Sequence, residues 1–209
     1  MDTLEAIRTR RSIRQYLDKP VPQDVLRQVL ASAMYAPSAC NQQPWQFVVL
    51  DDRKLLREVP KINSYAAMAA EAPVAILVCG DSSLETVPGY WVIDCSAAVQ
   101  NLLLAAHALG LGAVWTGVYP QQERVEGFRR LLGLPKTVTP HSLVPLGYPA
   151  EQPPQEERYR ADRVHHQVMS GKATFPVSSR IDSKENVSCA SPCSAWRRCS
   201  PPRFSCPAC

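Results

Sequence analysis

Apolar positions along the chain recur with two different periods. Residues 2–9 have helical spacing. From Pro22 onward, Val25, Leu26, Val29, Leu30, Ala33 and Met34 fall three and four apart, the spacing of one buried helix face, and Pro37 stops the run. Residues 46–50 read as a strand, and 52–58 and 63–71 as short helices. "VAILVC", residues 74–79, has no polar position, as expected of a central strand covered on both faces. Residues 82–90, with Pro88 and Gly89, are irregular. Residues 92–109 give the longest helix; it is apolar almost all round, which predicts a buried central helix, and Gly110 and Gly112 end it. A strand at 113–116 and a helix at 122–132, closed by Gly133, follow. The last strand is 142–147, where Pro145 points to an edge or a bulge. Helices and strands mix without a regular βαβ rhythm, so the expected class is α+β.

Composition divides the chain in two. Residues 1–168 carry 17 basic and 17 acidic residues, whereas the remaining 41 carry 6 and 2, so the net charge of +4 sits entirely at the end. A neutral body lacks the basic face that nucleic-acid binding requires. Of eight cysteines, Cys40, Cys79 and Cys95 are scattered and read as small buried apolar residues of a reducing compartment. Cys189, Cys193, Cys199, Cys206 and Cys209 crowd the last 21 residues. No apolar run reaches the roughly 18 residues of a membrane helix, and the N-terminus lacks an apolar signal core; a cytoplasmic protein is expected. The expected division is a folded domain at 1–168 and a disordered Cys/Pro/Ser-rich tail at 169–209. The C-x3-C-x5-C-x6-C-x2-C spacing of that tail fits no zinc pattern, and no metal site is expected.

Four stretches carry candidate chemistry. In "RRSIR", Arg10, Ser12 and Arg14 alternate, so an extended backbone points them to one side and Arg11 to the other. Guanidinium groups there suit an anion, but charge alone favours a solvated basic face or ion pairs of a dimer. "APSACNQQPW" holds more donors, acceptors and flat surface than a turn needs. Ser38, Asn41, Gln42 and Gln43 could read a planar polar ligand between Pro37, Pro44 and Trp45, or cap neighbouring helices around a core tryptophan. "GLGAVWTG" is not a dinucleotide fingerprint, because its glycines close a helix and open a strand. Its Thr116-Gly117 could still offer backbone N–H groups to a ligand. Beyond "PLGYPAEQPP", Arg158 lies in a polar run. No Ser-His-Asp or Cys-His arrangement is visible: His107 reads as a satisfied core histidine, and His141, after a proline, as exposed.

"RRSIRQY", "APSACNQQPWQFVVL", "IDCSAAVQNLLLAAHALGLGAVWTG" and "PLGYPAEQPP" occur in the order and at intervals comparable to those of the nitroreductase family of flavin enzymes. The chain resembles its short bacterial or archaeal members over about residues 1–166. The resemblance implies an obligate homodimer built on a central mixed or antiparallel sheet flanked by helices, with two shared FMN sites. It implies that Arg10, Arg11, Ser12 and Arg14 hold the phosphate and the pyrimidine edge. Pro37, Ser38, Asn41 and Gln43 would come from the partner subunit, the backbone of Trp115, Thr116 and Gly117 would lie near flavin N5, and Arg158 would close on the phosphate. The implied activity is ping-pong hydride transfer from NADH or NADPH through FMN to a small electron-poor acceptor such as a nitroaromatic or quinone, with no catalytic side chain because the cofactor carries the hard step. Flavin fragmentation, reductive dehalogenation and flavin binding without turnover are the alternatives. Residues 61–71 and 82–91 are the expected lid.

Overall fold

Helix α1, Thr3–Thr9, opens at Asp2, whose carboxylate accepts the Glu5 N–H at 3.0 Å. This is a computed structural model, and it describes residues 1–165. Helix α2, Gln23–Met34, buries Leu26, Val29 and Ala33 at the predicted period. A 3-10 turn, Ala39–Asn41, leads into β1, Trp45–Leu50. Helix α3, Arg53–Ile62, continues past the expected end at residue 58 and through Pro60. The proline removes one backbone donor in the last turn, and the buried Leu56 and Val59 hold that turn in place. Ser64–Ala70 form 3-10 turns rather than an α-helix. Then come β2, Val74–Asp81, and α4, Trp91–Ala108. The strand expected at 113–116 is two pieces, β3, Gly112–Ala113, and β4, Thr116–Gly117. Helix α5, Gln122–Leu132, ends at Gly133 with φ 63°, and β5 is Val138–Gly147.

The strands form one antiparallel sheet. β2 lies between β1 and β5, while β3 and β4 both pair with the far edge of β5. The α+β expectation therefore holds in its antiparallel form. Successive side chains of β2 point to opposite faces. Ile76 and Val78 pack with Leu26, Val29, Val99 and Leu102 of α2 and α4, whereas Ala75, Leu77 and Cys79 pack with Leu56, Val59, Val125 and Phe128 of α3 and α5. Two helical layers thus cover both faces, which is why "VAILVC" has no polar position.

Two expectations are corrected. β5 is not an edge strand, although it contains Pro140 and Pro145. Pro140 sits at the β-bulge where the β2 register shifts between Val78 and Cys79. Pro145 faces the gap between β3 and β4, where its carbonyl accepts the Val114 N–H at 3.4 Å and the Tyr16 hydroxyl at 3.2 Å. A residue without an N–H fits a central strand only at such irregular points. Nor is α4 buried all round. Cys95, Ala98, Val99, Leu102 and Ala106 are buried, but Ile93 on the other side is 62% exposed. Apolar composition alone does not say which faces a single chain covers.

Met1–Glu157 form one compact unit, and a second begins at Arg158. Of the second, residues 158–165 are described; they hold a 3-10 turn, Ala161–Arg163, and an Arg160–Asp162 fork at 3.0 and 3.1 Å. The expected boundary at 168 and the tail cysteines lie outside the described residues. Among the described residues, no helix is long and apolar enough to cross a membrane.

Gly112 is where β3 meets the preceding chain. A Cβ there would stand 2.6 Å from Cγ2 of Ile13. Gly112→Ala is expected to lower the free energy of urea unfolding by about 1–3 kcal/mol through overpacking.

Candidate active site

The segment after α1 lies along β3. Ser12 bridges Ala113 in parallel, and the Ile13 N–H donates to the Ala113 carbonyl at 3.1 Å. Arg10, Ser12 and Arg14 are thereby brought close to the chain that enters Trp115, Thr116 and Gly117. Arg14 is exposed, and one oxygen of Glu151 accepts both its N–H and that of Gln15, the latter at 3.2 Å. Arg11 turns the other way, as alternation requires. Its Nε donates to the Pro154 carbonyl at 3.0 Å, and its Nη1 to the Arg8 and Arg10 carbonyls at 2.8 Å. A cavity of about 760 Å³ opens there, lined in part by Thr9, Arg11, His107 and Glu151. His107 Nε2 lies 2.8 Å from the Thr9 hydroxyl, in keeping with a satisfied histidine. Burial and the nearby Arg10 and Arg11 hold its pKa below the usual imidazole range.

The connector from α2 to β1 is bent by three left-handed residues that are not glycine: Cys40, Asn41 and Gln43, with φ of 48°, 55° and 47°. Such residues cost on the order of 1–3 kcal/mol each and persist where surroundings over-determine them. Here the surroundings are Asp94 and Gln42. Asp94, 3% exposed in the first turn of α4, accepts the Ala39 N–H at 3.0 Å and the Gln42 side-chain amide at 2.7 Å. The Gln42 carbonyl oxygen in turn accepts the N–H groups of Thr86 at 2.8 Å and Val87 at 3.0 Å. Ser38 Oγ accepts the Gln43 N–H at 3.0 Å. Pro37, Asn41 and Gln43 are left exposed and Ser38 half-buried. Cys40 is exposed, not a buried apolar residue as its composition suggested. Residues 82–91, expected as part of the lid, are tied to this connector through Thr86 and Val87, and Glu85 accepts the Gly89 and Trp91 N–H groups.

Strand β4 pairs Thr116 with Leu143 and Gly117 with Ser142. Thr116 is buried and its hydroxyl donates to the Leu143 carbonyl at 2.7 Å. Gly117 is exposed, and a Cβ on it would meet nothing within 4 Å. The Val118 N–H donates to the His141 carbonyl at 3.2 Å. Bonded and non-bonded pairs alternate in an antiparallel ladder, so Gly117, the neighbour of a bonded pair, turns its N–H and C=O away from β5. Its carbonyl accepts instead from Asn63 Nδ2 at 3.2 Å and Arg124 Nη1 at 3.0 Å. An N–H turned away from β5 is the kind of donor that a ring nitrogen of a planar ligand can accept from.

His141 is buried, contrary to the expectation that it is exposed. Its ring nitrogens lie 3.2 Å from the hydroxyls of Ser96 and Ser142, and the Trp115 and Trp91 rings pack on it at centroid distances of 5.6 and 6.1 Å. Burial depresses its pKa from 6.5 to about 4. The sequence also left Asp94, Asn63 and Arg124 without a role. Each looks like an ordinary polar residue of a helix or turn, and only the fold brings it to the connector or to Gly117.

Within one chain the connector runs into β1 at one edge of the sheet, while the arginine segment and β4 lie on the other. The two halves of the expected pocket are thus built on opposite edges. Arg158 belongs to the second unit.

The nitroreductase family model matches residues 7–73 and 61–148. A protein of Methanothermobacter thermautotrophicus, provisionally named NADH dehydrogenase/NAD(P)H nitroreductase, is 56% identical over 165 residues, covering 79% of this chain and 86% of that one. The oxygen-insensitive NADPH nitroreductase of Salmonella typhimurium is 30% identical over 79% of this chain and 73% of its own length. Among solved structures, a provisionally named nitroreductase of Desulfovibrio desulfuricans in complex with FMN superposes with a TM-score of 0.69 at 34% identity, over 79% of this chain and 96% of that one. The chain belongs to the nitroreductase family.

Two outcomes follow from this geometry. The folded His141 pKa lies below the unfolded value of 6.5, so between pH 6.5 and about 4 the unfolded state takes up a proton that the folded state refuses. Stability present above pH 6.5 is therefore lost as pH falls, by about 3 kcal/mol at full effect. Unfolding titrations at pH 7 and 4.5 should show the loss in the wild type and a smaller loss in His141→Gln. Asp94→Ala leaves two donors unpaired and should cost about 2–4 kcal/mol, with faster proteolytic nicking of residues 37–44.

Proposed function

We propose that the chain is an FMN-dependent NAD(P)H oxidoreductase that works as a cytoplasmic homodimer on a small electron-poor acceptor such as a nitroaromatic or quinone. FMN, when bound, would supply the redox chemistry, which is acceptance of a hydride from a reduced nicotinamide and delivery of two electrons to the acceptor. The chain supplies the site. Arg10, Ser12 and Arg14 hold the phosphate and the pyrimidine edge, where Arg14 offsets negative charge that gathers on the ring. Arg11 braces the backbone that carries them. The amide of Gly117 would meet the ring next to Thr116 and Trp115. Pro37, Ser38, Asn41 and Gln43 of the partner subunit complete the pocket.

The observation that carries this reading is a Gly117 whose carbonyl turns away from β5, beside an arginine segment bridged to the same sheet edge. Placement of the connector on the opposite edge supports a dimeric site, because a second copy can bring its connector to the first copy's arginines. The open apolar side of α4, with Ile93 exposed, is a surface for such a copy. The buried free thiols of Cys79 and Cys95 suit a reducing compartment.

The deciding experiment is an anaerobic absorbance titration of the FMN-loaded protein with NADH and with NADPH. The flavin band should bleach, and return when a quinone or nitroaromatic is added. Retention of FMN without bleaching by either donor would overturn the reductase reading. Arg14→Ala should raise the FMN dissociation constant about tenfold or more, because a charge-assisted hydrogen bond contributes about 1.5–3 kcal/mol.

A further inference from the structure

We propose that Asn63 and Arg124 are positioning residues of the reaction: they clamp the Gly117 carbonyl and so limit the φ and ψ angles of Gly117 that set the direction of its N–H. The proposal rests on the flavin reading above, in which that N–H meets the ring. It names residues that lie outside every motif of the sequence.

In an extended strand the N–H and C=O of one residue point to the same side. The Gly117 carbonyl and N–H belong to successive peptide planes joined at the Gly117 Cα, so holding the carbonyl steers the N–H by limiting the φ and ψ angles of Gly117. Two donors reach that one oxygen, Asn63 Nδ2 at 3.2 Å and Arg124 Nη1 at 3.0 Å, each from a different element. Asn63, 1% exposed, precedes the 3-10 turns, and Arg124 lies in the first turn of α5. Both donors are themselves held. Asn63 Oδ1 accepts the Tyr65 N–H at 3.2 Å, and the Arg124 guanidinium stacks over the Tyr65 ring at 5.2 Å. On the other side of the same peptide, the Val118 N–H is fixed by the His141 carbonyl at 3.2 Å. The Gly117–Val118 peptide is thus gripped at both polar atoms.

A grip of this kind has a use at a glycine. β4 has only two residues, and a glycine has the freest backbone of any residue. Without the clamp, the Gly117 amide would be aimed only by the short ladder to β5. A reacting ring misplaced by about 1 Å can cost on the order of 100-fold in rate.

The test uses the full chain as wild type, Arg124→Met, Arg124→Lys and Asn63→Ala. The lysine keeps a cationic donor, whereas the methionine keeps only the stem. Asn63→Ala also removes the acceptor for Tyr65, so the arginine pair keeps the proposal falsifiable if the alanine variant fails to fold. With FMN bound, the limiting rate of flavin bleaching by NADH should fall about tenfold in Arg124→Met and Asn63→Ala. The half-saturating NADH concentration and the FMN dissociation constant should move by less than about twofold, and Arg124→Lys should recover most of the rate. Without FMN, hydrogen exchange at the Val118 amide should be about threefold or more faster in Arg124→Met than in the wild type, and near wild type in Arg124→Lys. Limiting rates within about twofold of wild type in the folded variants would overturn the proposal. So would an equal loss in Arg124→Lys and Arg124→Met that tracks a fall in Tm, because that marks a purely structural tie. A wild-type chain that binds no FMN, or binds it and is not bleached, defeats the functional reading and this proposal with it. That failure is told apart because it appears before any variant is compared.

Discussion

Pro145 sets the constraint on which the site depends. It stands in a central strand, opposite the place where a neighbour would want its N–H. A continuous partner strand would leave that neighbour's carbonyl without a donor, so the partner is broken into β3 and β4. The break isolates Thr116-Gly117 as a two-residue piece with one side on β5 and the other at an open sheet edge. The same gap admits the Tyr16 hydroxyl to the Pro145 carbonyl, and Tyr16 anchors the end of the arginine segment. One missing donor thus shapes both the edge that faces a ligand and the segment that would hold it.

The remaining polar network fixes chain segments that have little regular structure of their own. Glu151 takes two N–H groups of residues 14 and 15, and Arg11 takes three carbonyls. Asp94 and Gln42 hold the left-handed connector and tie it to residues 86 and 87. In each case a side chain satisfies backbone groups that no helix or sheet would satisfy. Such bonds make a loop rigid without adding core, and rigidity is what a binding site asks of its loops.

The proposed homodimer follows the same logic. The chain places the connector on one sheet edge and the arginines on the other, so neither edge alone surrounds a planar ligand. The helix face that composition predicted to be buried is left open beside Ile93. In the proposed dimer, a second copy would answer both an apolar α4 without enough cover in one chain and a pocket split between two edges.

Much of the architecture was legible in the sequence because burial has a period. The spacing from Val25 to Met34, the unbroken "VAILVC" and the stop at Gly133 each gave an element close to the observed one. The four motifs gave the family and the stretches of chain that carry the pocket. The sequence could not tell that His141 is buried, that Cys40 is exposed, or that Pro140 and Pro145 lie in a central strand. Nor could it show that Asp94, Asn63 and Arg124 matter. Local pattern records what a residue needs, such as cover, a partner or a free backbone angle. Which distant group meets that need depends on strand order and register, and those are set only when both faces of the sheet are packed at once.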